Sequence, residues 1–310
     1  MKILHIDSNH PTLISTLKNN GYINDIDISS SKEEIIKIIK DYDGLILRSR
    51  FKIDKDFIDN ASNLKFIARV GSGLENIDCN YAKSKNIEVI SSPEGNSNAV
   101  GEHAMGLLLS LLNNINTSSN QVKEGLWFRE KNRGFEIEGK TVAILGMGNT
   151  GKSFAKKISS FNCKVVFYDI NEKIESKYAK KTSLDFLYKN ADIVSLHLPF
   201  TTTTTDLFNK EFIQKFDKPF WFINTSRGKI VNTPDLVDAL NEKKILGAGL
   251  DVIDIESSSF NNIEKELNPY FNELINLKNV IITPHIAGWT FESNVKLSQI
   301  IIDKIKSLLK

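Results

Sequence analysis

Cysteine is almost missing from this chain of 310 residues, which carries only Cys79 and Cys163. The two stand far apart, with no C-x-x-C pair and no Cys/His cluster, so the sequence argues against a disulfide framework and shows no metal-ligand spacing. Free thiols in a reducing, cytoplasmic setting are the expectation, and no metal. Long apolar runs are missing too. The most apolar stretch, Ala104 to Leu112, is too short to cross a bilayer and is interrupted by Gly106 and Ser110. Met1-Lys2-Ile3-Leu4-His5-Ile6-Asp7 lacks the apolar core and cleavage site of a secretory signal and reads as a first β-strand. Nor is there an excess of either charge: 40 basic and 38 acidic residues leave +2. That balance offers nothing to nucleic acid or to an anionic membrane. Lysines are interleaved with acids, as in Ser31-Lys32-Glu33-Glu34, a solvated helix face. No internal repeat is visible.

What remains is ordinary globular composition, 41% apolar and 25% charged, at a length that predicts two domains each with its own core. Short apolar runs alternate with helical patterns from the start. Strands are expected at Ile3 to Ile6, Gly44 to Leu47, Lys65 to Ala68 and Ile87 to Ile90, and helices at Pro11 to Asn19 and Glu33 to Lys40. Strand-then-helix at this spacing predicts a parallel, doubly wound α/β sheet. Ser92-Pro93-Glu94-Gly95-Asn96 breaks the pattern as a candidate hinge, and Asn96 or Asn98 is the expected cap of a long helix running from about Ala99 to Leu112. A second helix or arm covers Ser118 to Gly125.

From Lys140 the pattern changes character. The run Lys140 to Leu145 reads as a buried strand leading into Gly146-Met147-Gly148-Asn149-Thr150-Gly151, with a helix from Thr150 to Ser160 behind it. A second strand, Lys164 to Tyr168, ends at Asp169, eighteen positions after the last glycine (169 − 151). Strand, G-x-G-x-x-G, helix and terminal acid are the layout of a dinucleotide-binding βαβ unit. Gly146 and Gly148 permit the tight turn and the approach of backbone N–H groups to a pyrophosphate at the helix N-terminus, and Gly151 lets helix and strand pack closely. Asp169 suits the adenosine ribose hydroxyls and would repel a 2′-phosphate, so NAD is expected rather than NADP. About 140 residues precede this unit, which suggests a cofactor domain inserted within another.

Further strands are expected at Asp192 to Leu196, Phe220 to Ile223, Gly247 to Leu250 and Val280 to Ile282, with a closing helix from Thr290 to Leu309. Three strand ends carry chemistry: Asn224-Thr225-Ser226-Arg227-Gly228, then Asp251 with Glu256, then Thr283-Pro284-His285 before Gly288. α/β sheets place their ligands at such ends, and a guanidinium fork suits a carboxylate.

These residues resemble the D-2-hydroxyacid dehydrogenase family, and within it most the phosphoglycerate dehydrogenase branch. The likeness runs through Arg48-Ser49-Arg50, Arg69 to Asp78, Gly101-Glu102-His103, Gly125-Leu126-Trp127, the glycine-rich fingerprint with Tyr168-Asp169, His197 to Thr201, Asn224 to Gly228, Leu250-Asp251-Val252 with Glu256, and Thr283 to Gly288. The resemblance implies a Rossmann NAD domain at 96–287, with a dimerisation helix and arm at about 98–138, inserted in a discontinuous flavodoxin-like substrate domain at 1–95 and 288–310. It implies that Arg227 holds the substrate carboxylate and keto oxygen, that His285 exchanges the proton, and that Glu256 pairs with His285 and fixes its tautomer.

By the same likeness, Met147, Asn149, Thr150, Tyr168, His197, Pro199, Thr201, Thr204, Thr225, Ser226, Arg227, Asp251, His285 and Gly288 line the cofactor beside the three glycines and Asp169. Val70, Gly71, Ser72 and Gly73 receive the substrate carboxylate in an interdomain cleft, together with Arg227 and His285. Arg48, Ser49 and Arg50, with Arg129, suit a substrate phosphate. The implied reaction is NAD-dependent oxidation of D-3-phosphoglycerate to 3-phosphohydroxypyruvate. The alternatives are reduction of glyoxylate, hydroxypyruvate or another D-2-keto acid and, remotely, an NAD-sensing corepressor-like binding protein. Partners are a small-molecule substrate and a second copy of the chain, since the stripe Ala104, Leu107, Leu108, Leu111, Leu112 exceeds what one side of a lone helix needs.

Three features depart from the pattern. Ser257 follows Glu256 where proline is usual, and Glu256 and His285 lie twenty-nine positions apart (285 − 256), across a polar insertion at 257–278. Only 22 residues (310 − 288) follow Gly288, so a C-terminal regulatory domain is not expected.

Overall fold

The computed structural model describes residues 1–256 and 270–308. In chain order the first elements are β1 (Lys2–His5), α1 (Pro11–Asn19), β2 (Ile23–Ile26), α2 (Lys32–Ile38), β3 (Gly44–Leu47), α3 (Lys55–Asp59), β4 (Phe66–Arg69), α4 (Cys79–Ser84) and β5 (Glu88–Ser91). There follow α5 (Ser97–Leu112), α6 (Ile115–Lys123), β6 (Thr141–Leu145), α7 (Asn149–Ile158), β7 (Lys164–Tyr168), β8 (Lys180–Lys181), α8 (Leu184–Asn190) and β9 (Ile193–Leu196). Then come α9 (Lys210–Gln214), β10 (Phe220–Asn224), α10 (Thr233–Asn241), β11 (Ile245–Leu250), α11 (Phe271–Asn276), β12 (Val280–Ile282) and α12 (Phe291–Leu308). The insertion's first part, 257–269, lies outside the described residues; α11 occupies part of the rest.

The chain divides into two compact units. One comprises Met1–Asn96 and the chain from Trp289. Its sheet is all parallel in the order β2-β1-β3-β4-β5, the doubly wound flavodoxin-like order. Strand residues alternate between two layers, as a period of two demands. Leu4, Leu45, Leu47 and Ile67 join Ile35, Phe57 and Ala82 from α2, α3 and α4. On the opposite face Ile3, Ile46, Phe66 and Ala68 join Leu13 and Leu17 of α1 and Leu297, Ile301, Ile302 and Ile305 of α12. Each such fully buried leucine or isoleucine contributes about 1.5–3 kcal/mol, so α12 is tied to this sheet by its apolar stripe. Local chemistry starts the helices. His10 caps α1 ahead of Pro11, and Ser31 with Glu34 forms a reciprocal capping box at α2.

The other unit, inserted in the first along the chain, begins at Ser97 and includes the residues up to Gly288 that carry β6 to β12. Its sheet is also all parallel, in the order β12-β11-β10-β9-β6-β7-β8. The first strand of the unit, β6, therefore lies inside the sheet, and the winding reverses between β6 and β9, where ligands of open α/β sheets bind. Val142, Ile144 and Phe167 pack under α5 and α7. The opposite layer is phenylalanine-rich, with the rings of Phe208 and Phe222 stacked at 4.1 Å.

Two expectations about α5 are refined. The helix starts at Ser97, so Asn98 sits inside its first turn and bonds Glu102 and Lys157 instead of capping it, while Asn96 directly precedes the helix and accepts from Ser72. The apolar stripe is not left over for a partner. Ala104, Leu107, Leu108 and Leu112 are buried within the unit, because α5 packs against α7 on one side and the strands on another.

Candidate active site

The glycine-rich turn joins β6 to α7. Gly146 has φ +90°, and a Cβ there would sit 2.4 Å from the His197 carbonyl oxygen. A Cβ on Gly151 would meet the Gly146 carbonyl at 2.1 Å, so the helix comes this close only because residue 151 has no side chain. At Gly148 a Cβ would meet nothing within 4 Å, and no side chain caps the N-terminus of α7. The result is an open cradle beneath unspent helix N–H groups, which fits a pyrophosphate. Asp169, at the end of β7, accepts hydrogen bonds from Met147 N at 2.7 Å and from Asn171 N at 2.8 Å, pinning the turn. Thr225 Oγ1 is buried without a hydrogen-bond partner. Thr204 donates to the Pro199 carbonyl and accepts from Thr201 N.

His197 is placed otherwise than expected. Its imidazole turns inward, stacks on Phe154 at 5.3 Å and bonds Ser195 Oγ at 2.9 Å, with Nδ1 buried and unpartnered. Its carbonyl and its Cβ lie against the glycine turn, at Gly146 and Gly151. Burial drives its pKa down to about 3, so the ring is neutral.

The ends of β10, β11 and β12 are brought side by side by the register Asn224↔Leu250↔Ile282. Beyond β10, Asn224 accepts from Ser226 N and donates to the Arg227 carbonyl, and Ser226 Oγ donates to the Leu196 carbonyl at 2.7 Å. This knot holds the base of Arg227, whose Nη1 donates to the Ser226 carbonyl. Gly228 has no room for a Cβ, which would overlap the Ile253 carbonyl.

Beyond β12, His285 has φ +55°, a left-handed conformation costly for a residue with a Cβ. What imposes it is Asp251, 1% exposed. The Asp251 carbonyl accepts from His285 N at 2.9 Å; its Oδ1 accepts from Thr283 Oγ1 at 2.7 Å and Ile286 N at 2.8 Å, and its Oδ2 from Ala287 N at 2.8 Å. So held, His285 Nδ1 lies 2.6 Å from Glu256 Oε2, while Glu256 Oε1 accepts from Ile253 N at 2.6 Å. A carboxylate at Nδ1 fixes the tautomer with the proton there and leaves Nε2 to exchange protons.

In the first unit, the loops after β3 and β4 carry the other candidates. The Arg50 guanidinium donates to the carbonyls of Ile6 (3.0 Å), Asp27 (2.7 Å) and Ser30, which ties it to the loops of its own unit. Arg48 is different. Its planar head lies over the Trp289 ring at 4.1 Å, and burial lowers its pKa against the opposing pull of Asp7. Gly71 N donates to Ser92 Oγ and to the Arg69 carbonyl, and Ser72 Oγ donates to Asn96; the Arg69 head lies against Gly71. Val70 is buried. Arg129, in the inserted unit, is exposed.

A sequence model of the D-isomer specific 2-hydroxyacid dehydrogenases, NAD-binding domain, matches residues 105–287. The chain belongs to this family. Among curated relatives, the D-3-phosphoglycerate dehydrogenase of Archaeoglobus fulgidus is 33% identical over 100% of this chain, which spans only 58% of that longer protein. The hydroxypyruvate reductase of Thermotoga maritima is 35% identical over 88% of this chain and 87% of its own length. Among solved structures, a D-lactate dehydrogenase from Aquifex aeolicus, complexed with NAD and lactic acid, is 25% identical with a TM-score of 0.84, covering 100% of this chain and 95% of that one.

For a member of this family the inserted unit is the NAD-binding one, and its open cradle and the acid at Asp169 fit that cofactor. Sequence reasoning quoted two residues in motifs without giving them a role. Arg69 donates to the Arg48 carbonyl within the first unit, and in the inserted unit His103 contacts Thr283 from 180 positions away, a separation no local pattern reveals.

Proposed function

We propose that the protein is a cytoplasmic, NAD-dependent D-2-hydroxyacid dehydrogenase that oxidises D-3-phosphoglycerate to 3-phosphohydroxypyruvate, a first step toward serine. The observation that carries the reading is the His285–Glu256 pair at 2.6 Å, on a backbone forced to positive φ. NAD, held at the Gly146–Gly151 turn and by Asp169, would supply the hydride acceptor for the carbinol carbon. His285 Nε2 removes the hydroxyl proton in that direction and returns it in the other, and Glu256 holds the ring while positive charge develops on it. Arg227 orients the substrate carboxylate and offsets charge on the oxygen that becomes the ketone. Arg48, held against Trp289, supplies the guanidinium for the phosphate.

Replacing His285 with alanine should lower turnover about 10²–10⁴-fold with NAD still bound. Near-normal turnover in that variant contradicts the assignment.

A second reading, reduction of hydroxypyruvate or glyoxylate, is favoured by one specific observation. Arg50 gives three of its five N–H donors to carbonyls, which leaves less of the arginine pair for a phosphate. We also propose a homodimer. Its support is the apolar surface of α6 and the segment after it, where Ile115, Val122, Leu126, Trp127, Phe128 and Phe135 are exposed.

A further inference from the structure

We infer that His103 is a positioning residue for the proposed acid–base group: it holds, through Thr283 and Asp251, the strained turn that presents His285. The inference rests on the proposed role of His285 and extends it to a residue on α5. His103 Nε2 lies 2.9 Å from Thr283 Oγ1 and 3.4 Å from Asp251 Oδ1. Thr283 spends its own hydroxyl proton on Asp251 Oδ1, so toward His103 it can only accept. That assigns the proton of His103 to Nε2 and makes the imidazole a donor shared between the threonine hydroxyl and the aspartate.

The consequence is geometric. Asp251 braces the backbone of the 283–287 turn: its carboxylate oxygens receive Thr283, Ile286 and Ala287, and its carbonyl receives His285 N. With 1% exposure it has almost no water to satisfy it, so every donor counts. A turn held at φ +55° persists only while its surroundings over-determine it. Loss of the His103 donor removes the outer contact that orients Thr283 and Asp251, loosens the bonds they make to the turn, and lets it relax toward an ordinary φ. The His285 ring then drifts relative to Glu256, and a misplacement of about 1 Å at a reacting group costs on the order of 10²-fold in rate.

The experiment compares His103→Leu, His103→Gln and Thr283→Val in the wild type and in the His285→Ala background, with NADH and either hydroxypyruvate or 3-phosphohydroxypyruvate. His103→Leu should lower kcat about ten- to hundredfold with KM for NADH within about twofold. His103→Gln, which returns an N–H near the same place, should recover most of the loss; a role in bulk packing predicts no such rescue. Thr283→Val cuts the same link from the other side, should reproduce the split, and keeps the test open if His103→Leu fails to fold. In His285→Ala the substitutions should cost nothing further. An unchanged kcat in His103→Leu beside an impaired His285→Ala overturns the inference alone, as does an equal further loss in the His285→Ala background. A fully active His285→Ala overturns the functional reading itself, and the inference with it.

Discussion

Single side chains in this protein are committed by the company they keep, and His197 is the clearest case. Its imidazole is sealed between Phe154 and Ser195 under the glycine turn, with a pKa near 3 instead of the ordinary 6.5. The unfolded chain takes up a proton near pH 6.5 that the folded one refuses until about pH 3. Stability contributed by the neutral ring is therefore complete above pH 6.5 and is lost as pH falls through that window, by up to about 1.4 kcal/mol per pH unit. In urea-unfolding series between pH 6 and 4, His197→Phe should show a slope of stability against pH shallower by about one proton. An unchanged slope would show that the buried ring is not the titrating group. The same lesson explains Arg50. The sequence displays a second cation beside Arg48, but only the fold reveals three carbonyls that claim it.

At the level of elements, legibility followed burial. Strands with continuous apolar runs announced themselves: Gly44–Leu47, Lys164–Tyr168 and Val280–Ile282 fall where those runs place them. β2 escaped notice because it is an edge strand, Ile23-Asn24-Asp25-Ile26, with both isoleucines more than half exposed. β8 is two lysines paired to the rim of β7, with no apolar signal at all. The glycine turn was readable because steric exclusion at Gly146 and Gly151 leaves no other residue choice. The long helix misled for a physical reason. A broad apolar face reports that something covers it, not what, and α5 is covered by α7 and its own sheet. His103 shares that helix, and its partner Thr283 lies at another strand end.

For the whole molecule, the proposed association moves from α5 to the segment after it. Trp127 is 81% exposed, and five further large apolar residues between 115 and 135 share its condition, an expensive surface to leave in water. Light scattering should therefore give twice 35.0 kDa. Trp127→Asp combined with Val122→Asp should shift the mass toward the monomer; a wild-type mass of 35.0 kDa would contradict the proposal.

The account stands most directly on turnover by the wild-type protein. With NAD and paired enantiomers of 3-phosphoglycerate, glycerate and lactate, it predicts reduction of NAD by D substrates only. It further predicts that Arg48→Ala weakens the phosphorylated acid about tenfold or more relative to the plain ones. Turnover of L enantiomers, or none on any 2-hydroxy acid, would contradict it.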